Sequence, residues 1–151
     1  MAEMLGQLGT CDRKKVGAII VREGRCISWG YNGSLPGMPH CSENGHGWVN
    51  QEDPTGMPAP LEPTDRMNWA HELAVVHGCR NVTHAEANAV AFAARQGIST
   101  DGGTLYVTVS PCETCARLII ASGIQRVVYS EEYRDPAGIQ LLSKAEISCV
   151  G

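Results

Sequence analysis

Apolar and polar positions along the chain switch between two periods, and the switches mark the elements. Val16 to Val21 and Cys26 to Tyr31 are β-rich runs on either side of Glu23-Gly24, which predicts a hairpin. From Asn32 to Pro63 no period is sustained, and Gly, Pro, His and Met take over; the segment 32–63 reads as a long irregular insertion that should cover or line a functional site. A helical period returns near Thr64 or Asp65 and stops at Gly78. In HAEANAVAFAARQG the Ala, Val and Phe positions recur at helical spacing up to the stop at Gly97, which places His84 and Glu86 in the first turn. Thr104 to Val109 is a short β-rich run ending at Pro111, and CARLIIASG is a helix closed by Gly123. A strand at RVVYS, a helix from Pro136 through Leu142 and a short strand from Ile147 to Val150 complete the pattern.

Strands that alternate with helices around one sheet predict an α/β protein, a three-layer α/β/α sandwich around a mixed five-stranded sheet whose first two strands are antiparallel. A length of 151 residues fits a single domain over 1–151 with a sizeable core. Neither an internal repeat nor a low-complexity tract interrupts it.

Charge and targeting change the picture modestly. A net charge of -4 lacks the basic excess that accompanies nucleic-acid binding and leans towards a small-molecule substrate, with no nucleic-acid partner. No apolar run approaches the roughly 18 residues of a membrane helix, and MAEMLGQLGT has neither the basic start nor the apolar centre of a signal peptide. A cytoplasmic protein with no membrane partner is expected. Seven cysteines is a high, odd number, and in a reducing compartment it points to metal before disulfides.

Chemistry enters with His84-Ala85-Glu86 and Pro111-Cys112-Glu113-Thr114-Cys115. His84, Cys112 and Cys115 are three ligands for zinc, and three protein ligands leave a position open for water, as a catalytic zinc does and a structural one does not. Bound zinc lowers the pKa of that water from about 15.7 to about 7. Both half-motifs fall at predicted helix starts, where the partial positive charge favours thiolate over thiol. A redox pair is the main competing role for Cys-x-x-Cys, but it gives His84 and Glu86 nothing to do.

The combination of H-x-E with P-C-x-x-C resembles the signature of the zinc nucleobase deaminases. Four blocks narrow the resemblance: VGAIIV, then GYNGSLPG with His40-Cys41-Ser42-Glu43, then HAEANAV, then LYVTVSPCETCARLIIASGIQRVVYSEEY. In order and spacing they are similar to the deoxycytidylate deaminase branch of the cytidine deaminase superfamily over nearly the whole chain. The resemblance implies a hydrolase acting on a cyclic amidine: dCMP becomes dUMP, a step of pyrimidine deoxynucleotide metabolism. Water activated by zinc attacks C4, and Glu86 is the catalytic residue that moves the proton. It further implies that Asn32 meets the sugar, the Ala85 amide the base carbonyl, the Ser110 carbonyl the leaving amino group, and Tyr133 one side of the nucleotide. Asn32 also reads as a turn residue in Asn-Gly, and Tyr133 as a core aromatic.

Members of this branch imply more: a homo-oligomer, with a hexamer favoured, dCTP and dTTP effectors, an effector site at Tyr31, Asn32 and Gly33, and Mg2+ accompanying the effector. Where the family often has Arg-Ser-Thr-Cys this chain has Leu8-Gly9-Thr10-Cys11, so the phosphate contact falls among Arg13, Lys14, Lys15 and Arg134. A second, structural zinc is implied on Cys11, Cys41, His71 and Cys79, with His77, His40 and His46 as rival ligands; four such ligands close a tetrahedron. Cys26 and Cys149, in β-rich runs, are expected in the core. Other readings are a dCTP, cytidine or deoxycytidine deaminase, a tRNA or other nucleic-acid deaminase, and a non-catalytic zinc-stabilised interaction module. An intact Glu86 speaks against the last.

Overall fold

In the computed structural model residues 1–47 and 62–151 are described, without the side chains of 75–77. They form two compact units. The first comprises Met1–Gly9, Val16–Asn32 and His84–Gly151; the second comprises Thr10–Lys15 and Gly33–Thr83.

The first unit is the sandwich that the periodicity predicts. Its strands are β1 (Gly17–Arg22), β2 (Arg25–Tyr31), β5 (Thr104–Val109), β6 (Arg126–Glu131) and β7 (Ser148–Val150), in the order β2-β1-β5-β6-β7. β2, β1 and β5 are antiparallel neighbours, whereas β5, β6 and β7 run parallel, so the sheet is mixed. Parallel pairs need crossovers, and the helices α5 (Glu113–Ala121) and α6 (Ala137–Lys144) supply them. The β1–β2 hairpin turns on Glu23 (φ 52°) and Gly24 (φ 73°), two positive angles that suit the right-handed twist of the strands it joins.

Alternation decides the faces of the sheet. Ala18, Ile20, Leu105, Val107 and Val127 point to one side and are buried against Ala89 of α4 (Ala85–Arg95), Ala116 and Ile119 of α5 and Leu142 of α6. On the other side a short helix α1 (Ala2–Gly6) packs on β1 and β5, where Met1, Ala2 and Glu3 share a cavity lining with Ile19, Tyr106 and Val128. Helices thus lie on both faces. The sequence pattern gave no sign of α1, which is too short to show a period.

α4 lies unusually close to β2. Ser28 Oγ donates to the Ala89 carbonyl at 2.5 Å, and a Cβ on Gly30 would stand 2.4 Å from the Ala85 carbonyl oxygen and 2.5 Å from the Ala89 nitrogen. Only glycine fits there. Gly30→Ala is expected to cost about 1–3 kcal/mol of stability through overpacking, measured by urea titration, and to disturb the start of α4. An unchanged denaturation midpoint would show that the helix can move away.

The second unit holds a two-stranded ladder of β3 (Gly33–Ser34) and β4 (Val82–Thr83), a short helix α2 (Cys41–Asn44), a 3-10 turn at Gly45–Gly47, and α3 (Pro63–His77). α3 starts at Pro63, just before the predicted start near Thr64 or Asp65, and stops at Gly78 as its sequence predicts. Of the irregular segment 32–63, residues 48–61 lie outside the described residues, and the described remainder carries β3, α2 and the 3-10 turn. Ala70, Leu73 and Ala74 are buried here, with Trp69 packed against them.

Two expectations about cysteines fare differently. Cys149 is half-buried and packs against the main core, but Cys26 is exposed. The reason is its place on β2, an edge strand, next to a register shift between Ile20 and Val21. No helix among the described residues is long and apolar enough to cross a membrane.

Candidate functional site

Two helix starts in the first unit meet. His84 is the residue before the first turn of α4, and Cys112 holds the same position before α5, both with extended backbones. Cys115 lies in the first turn of α5 and is buried. His84 Nδ1 is 3.5 Å from Cys112 Sγ and 3.4 Å from Cys115 Sγ. A tetrahedral zinc with Zn–S of about 2.3 Å and Zn–N of about 2.0 Å would set N and S about 3.5 Å apart. The donor set therefore fits the ion in kind and in spacing.

Electrostatics favour the same role. The Cys112 sulfur, accepting a hydrogen bond from Cys115, is lowered to about 4, while the same bond and burial push the Cys115 thiol up. Glu86, in the first turn of α4, is 4% exposed, and burial pushes its carboxyl above the ordinary carboxylate range. Its side chain reaches Cys115, so the carboxyl stands beside the donors without being one of the grouped three. A buried acid that can take and return a proton next to a metal position is the arrangement hydrolysis needs.

The other residues expected at the site are each placed by local contacts. Ala85, fully buried, is the first residue of α4, where backbone N–H groups have no partner within the helix. Asn32 is buried, and its Oδ1 accepts the Val16 N–H at 2.8 Å, which fixes the orientation of the amide. The Tyr31 carbonyl accepts from Asn88 Nδ2 at 2.7 Å, and Gly33 pairs with Thr83 in the small ladder. Ser110 Oγ accepts the Tyr133 N–H at 2.7 Å, so the segment carrying Tyr133 is anchored at the end of β5. The Tyr133 ring is half-buried, with the Arg134 guanidinium 5.8 Å from its centroid. In the second unit Lys14 and Lys15 are exposed, and Arg13 Nε is shielded from solvent without a hydrogen-bond partner among the described residues.

The second unit also assembles a sulfur-rich cluster. Ligand atoms of Cys11, Cys41, His46 and Cys79 lie within 4.8 Å of one another. Cys41 Sγ and Cys79 Sγ are 3.5 Å apart, and His46 Nδ1 is 3.7 Å from Cys11 Sγ. A hydrogen bond from Cys79 lowers Cys11 to about 4; burial raises Cys41 to about 11, and the contact with Cys11 raises Cys79. Three of these four were expected together. The fourth place belongs to His46, whereas His71, the residue matched from sequence, groups with Asp12 and His46 instead. His71 sits on α3 with Nδ1 3.0 Å from His46 Nε2, so His46 stands between it and the sulfurs. Of the other rivals, His40 precedes α2 and is absent from these groups, and the His77 side chain lies outside the described residues. Asp12 was not singled out in the sequence, where a lone Asp beside Cys11 carries no signal.

Comparison with known proteins agrees with this chemistry. Residues 1–131 match the family described as cytidine and deoxycytidylate deaminase zinc-binding region. Deoxycytidylate deaminase of Enterobacteria phage T4 is 40% identical over 145 residues, 88% of this chain and 75% of that protein. ComE operon protein 2 of Bacillus subtilis is 33% identical over 97% of this chain and 65% of its own length. Among solved structures, the dCMP deaminase of cyanophage S-TIM5 in complex with dCMP and dUMP superposes with a TM-score of 0.70, at 31% identity over 98% of this chain and 88% of that one. A family match over most of the chain, on residues that bring a histidine, two cysteines and a buried glutamate together, places this protein in the cytidine and deoxycytidylate deaminase family.

Proposed function

We propose that the protein is a deoxycytidylate deaminase, a zinc-dependent hydrolase that converts dCMP and water to dUMP and ammonia. The observation that carries this reading is the three-donor group of His84, Cys112 and Cys115 beside buried Glu86. Zinc held by the three would lower the pKa of a bound water to about 7. Glu86 takes one proton from the water that attacks C4 and passes it to N3; it then takes the remaining proton of the new C4 hydroxyl and gives it to the amine, which leaves as ammonia while C4 becomes a carbonyl, so the carboxylate is regenerated. The Ala85 N–H binds the base carbonyl, and the Ser110 carbonyl accepts from the amino group. Asn32, its oxygen held by Val16, turns its NH2 towards the sugar, and Tyr133 flanks the nucleotide. Ammonia release measured side by side with dCMP, dCTP, deoxycytidine and cytidine tests the assignment.

The second cluster is read as a structural zinc site, four donors closing a tetrahedron. Metal analysis of protein purified without chelator should find two zinc ions per chain. Cys41→Ser should leave one and lower the melting temperature. A single zinc in the wild-type chain would remove the structural site.

The family resemblance supports further proposals. Residues 1–151 act as one deaminase domain in the cytoplasm, and phosphate is met among Arg13, Lys14, Lys15 and Arg134. The chain assembles as a hexamer, with dCTP and dTTP as opposing effectors at Tyr31, Asn32 and Gly33 and Mg2+ accompanying the effector. Light scattering with and without dCTP tests the assembly.

A further inference from the structure

Four donors alone do not account for the surroundings of His46. The residue is 2% exposed and sits at φ 57°, ψ 20°, a backbone that a side chain with a Cβ adopts when its surroundings hold it there. Its carbonyl accepts the Arg80 N–H at 2.8 Å, which fixes the backbone from one side. The ring is fixed from two others. Nδ1 faces Cys11 Sγ at 3.7 Å, while Nε2 faces His71 Nδ1 at 3.0 Å and Asp12 Oδ1 at 3.2 Å.

The chemistry of these neighbours selects a tautomer. An ionised carboxylate only accepts hydrogen bonds, so Nε2 of His46 must carry the hydrogen that faces Asp12. His71 Nδ1 faces the same hydrogen and accepts it if its own proton is on Nε2. A neutral His46 then has one lone pair, on Nδ1, directed at the sulfur cluster. We propose that Asp12 and His71 are positioning residues that hold His46 in the tautomer offering Nδ1 to a metal shared with Cys11, Cys41 and Cys79. His71 thus supports the site from outside and is not a ligand. The inference rests on the structural-zinc reading of that cluster and adds the groups that orient one of its ligands. Such outer partners fix the ring and raise the basicity of the ligating nitrogen.

The test uses the full chain loaded with zinc and titrated with a chelator, counting the zinc retained. Asp12→Ala and His71→Ala should each hold two zinc ions when saturated. The second ion should leave at chelator concentrations about 10–100-fold lower than in the wild type, the usual cost of losing an outer-shell partner. His71→Gln, whose carbonyl can accept from Nε2–H, should recover part of that retention. A spectroscopic arm separates ligand from support. With the three-donor site emptied by Cys112→Ser, the visible bands of cobalt in the second cluster should be unchanged by His71→Ala and shifted or lost in His46→Ala. Equal retention in wild type, Asp12→Ala and His71→Ala overturns the proposal while the second zinc stands. Bands that shift in His71→Ala as they do in His46→Ala overturn it too, by making His71 a ligand. A wild-type chain holding one zinc overturns both the proposal and the reading beneath it.

Discussion

Glu86→Gln is expected to keep its zinc and its fold while losing about 10²–10⁴-fold in kcat, the range that a positioned acid–base group supplies. The amide has nearly the shape of the carboxylic acid, and the donors His84, Cys112 and Cys115 are untouched, so metal content and melting temperature should stay near those of the wild type. What the amide lacks is the ability to accept a proton and give it back. Glu86 is buried, and burial raises its carboxyl pKa, which brings the protonated form within reach during turnover. Its loss acts on the transition state, so kcat and kcat/KM should fall together. Near-normal turnover in a zinc-loaded Glu86→Gln protein would rule out this residue as the proton carrier.

The second large effect concerns the phosphate. Activity with dCMP should exceed that with deoxycytidine on the order of 10⁴-fold in kcat/KM, because a site built to hold a polar group leaves its own donors unpaired when that group is missing. The motive is the family resemblance, which leaves the phosphate contact among Arg13, Lys14, Lys15 and Arg134. Equal efficiency on the nucleoside would contradict the monophosphate assignment. Preference for dCTP would keep the chemistry and move the substrate to the triphosphate.

Most of the sheet unit could be read from the chain, because each of its long elements carries its own local signal. β5 alternates and ends at Ser110-Pro111, and α4 and α5 have helical spacing and glycine stops, so the sequence alone puts both half-motifs at helix starts. α1 and the β3–β4 ladder were invisible for the opposite reason: five residues and two residue pairs are too short for a period. Cys26 misled because β-rich composition marks a strand without saying whether it lies at an edge. The choice between His46 and His71 was beyond spacing altogether. It depends on a left-handed backbone at His46, between two glycines, that turns the ring towards Cys11.

The sulfur cluster collects its donors from three distant stretches, Cys11, the Cys41–His46 turn and Cys79, and the apolar core described around it is small: Ala70, Leu73 and Ala74 with Trp69 against them. Apolar burial among the described residues of this unit is modest, and loops of roughly 30 to 40 residues are costly to close without a clasp. Zinc held there, as proposed, would be part of the folding reaction and not an addition to a finished fold. In kinetic terms, the sheet unit would form on its own contacts, while Cys11, the Cys41–His46 turn and Cys79 would wait for the ion. Refolding should therefore show a phase whose rate follows zinc concentration, and a cell short of zinc would lose this enzyme at synthesis before it lost it at the active site.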